Sequence, residues 1–217
     1  MARDAIRDHL RLLLEWTGAI NLTAIRDPLQ AVTLHVLDSL TAVDTIRVTG
    51  ADRLLDLGSG GGYPGLPLAV ATPARALLVD SVGKKAAFLR TAVAALGLEP
   101  TVGVGDTRAE ALARDRDHRE RWALVTARAV AALPELVELA FPLLVPGGRL
   151  VAWKRGDIGE ELARARWAAE SLGGATIAVE PVGLPGLSGH VLVVLDKQRP
   201  TPTAYPRDPA VRARRPW

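Results

Sequence analysis

The sequence predicts an α/β fold in which a mostly parallel β-sheet is covered by helices on both faces and preceded by a helical extension. Three observations support this fold class. Short apolar segments alternate with amphipathic segments from residue 53 onward. The apolar segments are nearly continuous in hydrophobicity, which is typical of parallel strands buried on both faces. The first 50 residues, in contrast, show only the periodicity of helices.

The helical extension is predicted to cover residues 1–50 and to contain two main helices. The first runs up to Trp16, and its residues at helical spacing are Ile6, His9, Leu10, Leu13 and Leu14. A second helix is expected to start at Pro28, since proline is suited to the first helical turn. Its predicted apolar face consists of Leu29, Val32, Val36, Leu40 and Val43. We expect His9 to be solvated and His35 to lie on a polar helix face.

Five strand–helix units and a final pair of strands make up the predicted main domain, residues 51–198. The strands of the five units are expected at Arg53–Leu57, Ala76–Asp80, Pro100–Val104, Ala123–Ala127 and Arg149–Trp153. The helices are expected at Gly65–Val70, Lys84–Leu96, Thr107–Arg114, Leu133–Leu144 and Gly159–Ser171. Only a loop rich in glycine and proline separates the last two strands, near 176–182 and 190–196, so they must form an antiparallel hairpin. A seven-stranded sheet with this ending is typical of Rossmann-like class I methyltransferases, which use S-adenosylmethionine.

The composition excludes several classes of protein. The chain has 217 residues, of which 48% are hydrophobic and 24% charged, as in an ordinary globular protein of about one large domain. The absence of cysteine excludes disulfide scaffolds, thiolate zinc sites, iron–sulfur clusters and cysteine nucleophiles. No uncharged apolar run reaches the ~18 residues of a membrane span, and no signal-peptide core is present. We therefore expect a cytoplasmic protein.

The charge is unevenly distributed along the chain. Residues 197–217 contain six basic residues and one acid, a formal charge of +5 within a chain whose net charge is +3. The remaining 196 residues therefore carry −2, and the asymmetry indicates either a polyanionic partner or a solvated tail. Proline is frequent from residue 199 onward, so the tail, residues 199–217, is expected to be extended and not part of the core.

The sharpest functional signal is the segment LLDLGSGGGYPG, residues 54–65, in which an apolar strand leads into a turn dense in glycine and then a helix. Glycine tolerates positive φ and lets a ligand approach the backbone closely. Gly58, Gly60 and Gly62 after Asp56 fit a loop for S-adenosylmethionine. Residues 60–65 also match the dinucleotide fingerprint G-x-G-x-x-G, but its first glycine would lie three residues past the strand end. The register therefore favours S-adenosylmethionine over NAD, and a turn without a ligand is the weakest interpretation.

Polar residues at the next two strand ends would line the same crevice. Asp80 and Ser81 follow the second strand, where a carboxylate either accepts both ribose hydroxyls of a nucleoside or caps the following helix. After the third strand, Ala109 and Glu110 would lie at the adenine edge. The alternative there is a capping motif with Glu110 as its distal partner.

Two cations stand at the following strand ends. Arg128 ends the fourth strand, and a guanidinium at the end of an apolar strand is costly unless a ligand or an acid meets it. Lys154 ends the fifth strand, where a solvated lysine is an equal alternative. We favour a functional role for Arg128.

Several segments together carry a resemblance to a known family. They are NLTAIRDP (21–28), HVLDSL (35–40), LLDLGSGGGYPGLPLA (54–69), LLVDSVGKKAAFLR (77–90), RAE (108–110), TARAVAAL (126–133), PGGRLVAWKRG (146–156), SGHVLVV (188–194) and TPTAYPRDP (201–209). They resemble the RsmG (GidB) family, guanine-N7 methyltransferases of bacterial small-subunit rRNA. The pairing of NLTAIRD with the proline-containing glycine loop is specific. The chain departs from the family's commoner residues at Tyr63, at Asp208 and in the WKRG segment.

The resemblance implies methyl transfer from S-adenosylmethionine to N7 of a guanosine in 16S rRNA, in the 530-loop region. It implies cofactor contacts from Gly58, Tyr63, Ala109, Glu110 and Arg128, with Asp80 and Ser81 at the ribose position, and the loop pattern adds Gly60. Substrate contacts are expected from Asn21, Arg26, His35, Lys154 and Arg207. Guanine N7 has a lone pair and no proton, so no general base is needed, and no metal is expected.

The expected partner is 16S rRNA, in the small ribosomal subunit or its assembly intermediate, bound by a monomer. A methyltransferase for a small molecule is the nearest rival, and the basic tail argues against it because a small substrate needs no polyanion clamp. A non-catalytic RNA-binding module would need no glycine loop.

Overall fold

The fold has three parts: a layer of N-terminal helices, a seven-stranded sheet between helices, and a C-terminal segment packed along one side. The computed structural model describes residues 2–217. Every helix in this range is too short or too polar to cross a membrane. The arrangement confirms the predicted α/β class with its N-terminal helical extension.

The second predicted N-terminal helix is not continuous, which the sequence did not predict. A π-helical segment interrupts the second predicted helix, so positions before and after it no longer share one face. Leu29 and Val32 are exposed, whereas Ala31 and Val36 are buried, and the prediction of one apolar face is therefore wrong. The elements are α1 (Ala2–Ile20), α2 (Pro28–Ala31), the π-helical segment (Val32–Leu37), α3 (Asp38–Leu40) and α4 (Val43–Arg47).

The sheet has the strand order β3-β2-β1-β4-β5-β7-β6. Neighbouring strands among β1 to β5 are parallel, and β7 is antiparallel to both β5 and β6. The predicted C-terminal hairpin is thus confirmed. The strands are β1 (Arg53–Leu57), β2 (Arg75–Asp80), β3 (Val102–Asp106), β4 (Trp122–Arg128), β5 (Leu144–Arg155), β6 (Ala175–Pro181) and β7 (His190–Lys197).

Helices cover both faces of the sheet and bury a core on each. One core includes Leu13 of α1 and Phe88 of α6, and the other includes Val137 of α8 and Ala165 of α9. The remaining helices are α5 (Gly65–Ala71), α6 (Gly83–Ala95), α7 (Ala109–Arg114), α8 (Leu133–Ala140), α9 (Gly159–Ser171) and α10 (Pro209–Arg214).

The strand order creates a crevice between β1 and β4. The chain proceeds from β1 to β2 and β3 on one side, and β4 and β5 lie on the other. The loops after β1 and β4 leave the sheet in opposite directions, which opens a crevice between them at the carboxyl ends of the strands. α/β proteins bind ligands at this position. Gly58 directly follows β1 and Arg128 ends β4, so both predicted site residues lie at this point.

The expectation of an extended basic tail is wrong. Four of the six cations in residues 197–217 pair with acids that lie 29 to 102 residues earlier in the chain. The pairs are Lys197–Glu120, Arg199–Glu170, Arg207–Glu138 and Arg212–Glu110. Pairing over such sequence distances requires the folded chain, so composition and charge alone could not reveal it.

Candidate functional site

The glycine loop between β1 and α5 contains three residues with positive φ and is closely packed by its surroundings. Gly58, Gly60 and Gly62 have φ of +66°, +54° and +88°, a region that glycine adopts most readily. A Cβ atom at Gly58 would lie 2.6 Å from Val130 Cγ2, and one at Gly62 would lie 2.8 Å from His9 Nε2. Both conformation and space therefore require glycine at these two positions.

The Asp56 side chain, which lies beneath this loop, orders it through two hydrogen bonds. Its carboxylate accepts hydrogen bonds from the Gly65 backbone (3.1 Å) and from Thr126 Oγ1 (2.7 Å). The side chain is fully buried, and burial raises the pKa of Asp56 to about 6, against smaller opposing effects of its hydrogen bonds. The contacts tie the start of α5 to the strands β1 and β4.

Asp80 fixes the other side of the loop. Its Oδ2 accepts from the Gly60 backbone and its Oδ1 accepts from the Val82 backbone, each at 2.9 Å. The N-cap of α6 is Val82, and the helix starts at Gly83. Asp80 is therefore not the N-cap of this helix, which was the alternative role considered from the sequence. The same carboxylate lines the neighbouring cavity.

A first cavity of about 400 Å³, the acidic cavity, lies between the ends of β1, β2, β3 and β4. It brings together five of the predicted cofactor residues, Gly58, Asp80, Ser81, Ala109 and Glu110. Glu110 is no capping partner, because α7 has Arg108 as its N-cap and no side-chain capping bond; instead, Glu110 accepts a hydrogen bond from Arg212.

A second cavity of about 390 Å³, the aromatic cavity, adjoins the first, and both are lined by Gly58, Lys85 and Ala129. Ala129 has φ +56°, an uncommon conformation for a residue with a side chain. The other lining groups come from the glycine loop and the N-terminal helices as well as from β4, β5 and β7. They include Gly60, Tyr63, His35, Asp38, Arg128, Arg155 and His190.

Arg128 at the end of β4 is met by an acid, Asp38. Its Nη1 lies 2.9 Å from Asp38 Oδ2 and also donates to the Leu34 carbonyl. The other carboxylate oxygen of Asp38 is 2.9 Å from His190 Nδ1. The buried Asp38 carboxylate therefore joins two cavity-lining side chains from different strands.

The Asp38–His190 pair was not predicted from the sequence. The two residues are 152 positions apart. Both residues lie in segments that carry the family resemblance, HVLDSL and SGHVLVV. Those segments are the only feature of the sequence that could have pointed to this pair.

Three rings are stacked next to the glycine loop. Tyr63 stacks on His9 with centroids 4.4 Å apart and on His35 with centroids 5.0 Å apart. The prediction that His9 is solvated is wrong: it is 1% exposed, and its Nε2 is 2.8 Å from the Gly61 carbonyl oxygen. Burial lowers the pKa of His9 to about 4, and burial with the nearby Arg128 charge lowers that of His35 to about 4.

The structure separates the predicted substrate residues from one another. His35 lines the aromatic cavity, and its Nε2 is 2.8 Å from Thr23 Oγ1. Asn21 and Arg26 are exposed in the connector before α2 and lie 3.5 Å apart.

The other two predicted substrate cations have internal partners. Lys154 Nζ is 2.5 Å from Glu161 Oε1 and donates to the Ala131 carbonyl at 3.0 Å. Arg207 is bound to the buried Glu138 carboxylate. Neither is a free cation at the crevice.

Lys85 and Arg155, which the sequence analysis did not select, are better placed. Lys85 lines both cavities and Arg155 lines the aromatic cavity, and across residues 2–217 neither has an ion-pair partner. In the same part of the chain, no three His, Asp or Glu side chains come together in a way that would hold a metal ion.

Comparison with known proteins identifies the family. The family model GidB, described as rRNA small subunit methyltransferase G, matches residues 3–185. The chain belongs to this family. Proteins named ribosomal RNA small subunit methyltransferase G are 50% identical in Roseiflexus castenholzii, covering 93% of this chain and 86% of that protein, and 45% identical in Deinococcus radiodurans, covering 95% and 82%. The RsmG (GidB) resemblance is thus confirmed.

Solved structures support the fold of this family member. An O-methyltransferase from Bacillus cereus in complex with SAH has a TM-score of 0.60 at 20% identity, covering 88% of this chain and 91% of that one. The O-methyltransferase TomG from Streptomyces achromogenes, in complex with SAM, has a TM-score of 0.57 at 20% identity, covering 89% of each chain. These likenesses confirm the Rossmann-like fold.

Proposed function

We propose that this chain transfers a methyl group from S-adenosylmethionine to N7 of a guanosine in 16S rRNA of the small ribosomal subunit. The observation that carries the proposal is the pair of adjoining cavities that meet at Gly58, in a chain of the rRNA small subunit methyltransferase G family. The acidic cavity and the glycine loop would hold the cofactor. The aromatic cavity would receive the guanine.

The residues present fit S-adenosylmethionine. The glycine loop leaves backbone groups open to a ligand, and carboxylates stand at the ends of β2 and β3, where hydroxyl and amino groups of a nucleoside need acceptors. The volume of about 400 Å³ lies within the ~300–1,000 Å³ typical of small-molecule sites. Gly58, Asp80, Ser81, Ala109 and Glu110 would hold the nucleoside, and Gly60, Tyr63 and Arg128 would surround the amino-acid end.

The reaction needs alignment more than acid–base chemistry. When bound, S-adenosylmethionine would supply an electrophilic methyl group: the lone pair of guanine N7 forms a bond to the methyl carbon as the methyl–sulfur bond breaks, which leaves S-adenosylhomocysteine and a positive charge on the base. The chain therefore has no proton to remove, and its contribution is to align the reactants, which can supply ~7–11 kcal/mol.

Two residues of the aromatic cavity, Asp38 and His35, are suited to offset this charge and to hold the guanine. Asp38 places a carboxylate between Arg128 and His190, where it would stabilise the cationic product base. His35 stands at the end of the ring stack, where a flipped-out base can stack on it. With a pKa of about 4, His35 is neutral at pH 7 and adds no repulsion as the base becomes cationic.

The substrate would be 16S rRNA in the small subunit or an assembly intermediate, with the 530-loop region as the target, in the cytoplasm. The chain would act as a monomer. Lys85 and Arg155 would contact RNA phosphates, in place of the internally paired Lys154 and Arg207.

Methyl transfer to small subunits from a strain that lacks this activity tests the proposal. Label from S-adenosylmethionine is expected in 7-methylguanosine after nucleoside analysis. Gly58→Asp should abolish transfer and S-adenosylhomocysteine binding, whereas His35→Ala should lower kcat and leave binding of S-adenosylhomocysteine near the wild-type value. Label in any other nucleoside, or none despite tight binding, would refute guanine N7 as the acceptor.

A further inference from the structure

The C-terminal segment, residues 206–217, is anchored on a carboxylate that it covers. Glu138 of α8 is fully buried, and Arg207 binds it through its backbone N–H at 2.7 Å and through its guanidinium. Trp217 Nε1 donates to the same carboxylate at 2.7 Å, and Arg207 lies over the Trp217 ring, 4.5 Å from its centroid. A buried charge with this many donors holds its partners firmly in place.

From this anchor, α10 brings Arg212 to the acidic cavity. Arg212 Nη2 lies 2.6 Å from Glu110 Oε1, and both side chains are only 9% exposed. Its Nε lies 3.2 Å from Glu135 Oε1, and its Nη1 donates to the Arg207 carbonyl. Glu110, Glu135 and Arg212 all line the acidic cavity.

Arg212 controls the charge and direction of Glu110. Burial raises the pKa of Glu110, but the hydrogen bond from Arg212, a backbone hydrogen bond and the charges of Arg212 and Arg108 together outweigh burial, and the pKa of the carboxyl is lowered overall. Glu110 thus remains ionised in the cavity. Without the Arg212 guanidinium, the Glu110 carboxylate would lack its ion-pair partner. It would then be free to turn away from the cavity toward solvent.

A third cavity of about 470 Å³, the outer cavity, adjoins the acidic cavity, and Arg108, Glu135 and Arg212 line both. Trp217 and Pro209 of the C-terminal segment also line the outer cavity. Arg212 is therefore the residue through which the C-terminal segment reaches the acidic cavity.

We infer that Arg212, anchored by residues 206–217, completes the wall of the cofactor site and is a positioning residue, which holds Glu110 in place for the nucleoside of S-adenosylmethionine. This inference rests on the proposed placement of the cofactor in the acidic cavity. It gives the basic C-terminal segment a role in cofactor binding and not in clamping RNA. The segment lies outside residues 3–185, which the family model matches.

The test measures S-adenosylhomocysteine binding by calorimetry, and KM for S-adenosylmethionine and for small-subunit RNA, in full-length variants. Arg212→Ala should weaken binding about tenfold and raise KM for S-adenosylmethionine by a similar factor, because Glu110 loses its charged partner. KM for RNA should stay at the wild-type value. Arg212→Lys should restore part of the affinity, and Arg214→Ala, an exposed change on the same helix, should match wild type.

Other outcomes would contradict the inference or the proposed site. Wild-type affinity in Arg212→Ala, or a rise only in KM for RNA, overturns the inference. If Arg212→Ala fails to fold, Glu110→Gln keeps the shape of the pair and should still weaken S-adenosylhomocysteine binding; unchanged affinity there also overturns it. If wild type does not bind S-adenosylhomocysteine, or Gly58→Asp binds it normally, the proposed site itself fails.

Discussion

At the scale of single residues, Asp56 gives the fold a measurable pH dependence. Its folded pKa of about 6 exceeds its ordinary value of 3.8, so the native state binds more protons than the unfolded chain between these values. The stabilisation that protonated Asp56 provides is complete below about pH 4 and is lost as the pH rises through 6. Since one pKa unit is worth about 1.4 kcal/mol, the loss is about 3 kcal/mol.

Asp56→Asn removes this titration while keeping the shape of the side chain. In urea unfolding from pH 4 to 7, the free energy of unfolding of the variant minus that of wild type should increase up to about pH 6 and then level off. A difference that stays constant over this range would show that Asp56 does not titrate with a raised pKa.

Asp38 is the residue on which the aromatic cavity depends. Asp38→Ala leaves Arg128 buried without its carboxylate and releases His190, and breaking a buried pair of this kind costs about 3–5 kcal/mol. Methyl transfer should fall at least tenfold. Asp44→Ala is the matched control, because Asp44 is 97% exposed and its 3.6 Å pair with Arg47 contributes little. Equal unfolding free energies in the two variants would contradict this role.

At the scale of elements, the helix α5 approaches the strands β1 and β2 closely at Gly65. A Cβ at Gly65 would lie 2.3 Å from Leu78 Cδ2 and 2.6 Å from Asp56 Oδ2, so Gly65→Ala should destabilise the protein by about 1–3 kcal/mol. Gly18→Ala has open space inside α1 and should stabilise it by about 0.5–1 kcal/mol. Urea unfolding of both variants checks the opposite signs, and a stable Gly65→Ala would mean that α5 packs more loosely.

The elements also show where sequence reasoning was sufficient. Strands β1 to β5 and the β6–β7 hairpin were predicted because a buried parallel strand and a connection too short for a crossover have local signatures. The π-helical segment was not, because its extra residue per turn is set by packing rather than by residue type. α7 starts later than predicted, at Ala109, which leaves Thr107 and Arg108 to line the acidic cavity.

At the scale of the whole molecule, the free cations and not the total charge should govern RNA binding. Lys85→Ala and Arg155→Ala should each weaken binding to 16S rRNA and reduce the slope of log affinity against log salt by about 1. Arg166→Ala, an exposed change on α9 away from both cavities, should leave the slope unchanged. Fluorescence titrations at several salt concentrations measure it, and unchanged slopes for Lys85→Ala and Arg155→Ala would assign the phosphate contacts elsewhere.

The grouping of the acidic-cavity residues at the strand ends could be predicted from the sequence, whereas the grouping of the aromatic-cavity residues could not, because the aromatic cavity depends on how distant elements dock. The glycine loop follows β1, Asp80 ends β2 and Glu110 lies in the first turn of α7 shortly after β3, so their meeting follows from the parallel sheet. The aromatic cavity depends on N-terminal helices docking against β4, β5 and β7, which joins Asp38 to His190 across 152 positions. His9 was misplaced for the same reason, because its burial depends on how α1 docks on the glycine loop.

A crystal structure of the protein with S-adenosylhomocysteine tests the central claim most directly. We expect density for the nucleoside in the acidic cavity, beside Asp80 and Glu110, and for the amino-acid end along the glycine loop toward Arg128, with the aromatic cavity left open for a base. Density in the outer cavity beside Trp217, or within the aromatic cavity in place of the acidic one, would contradict it.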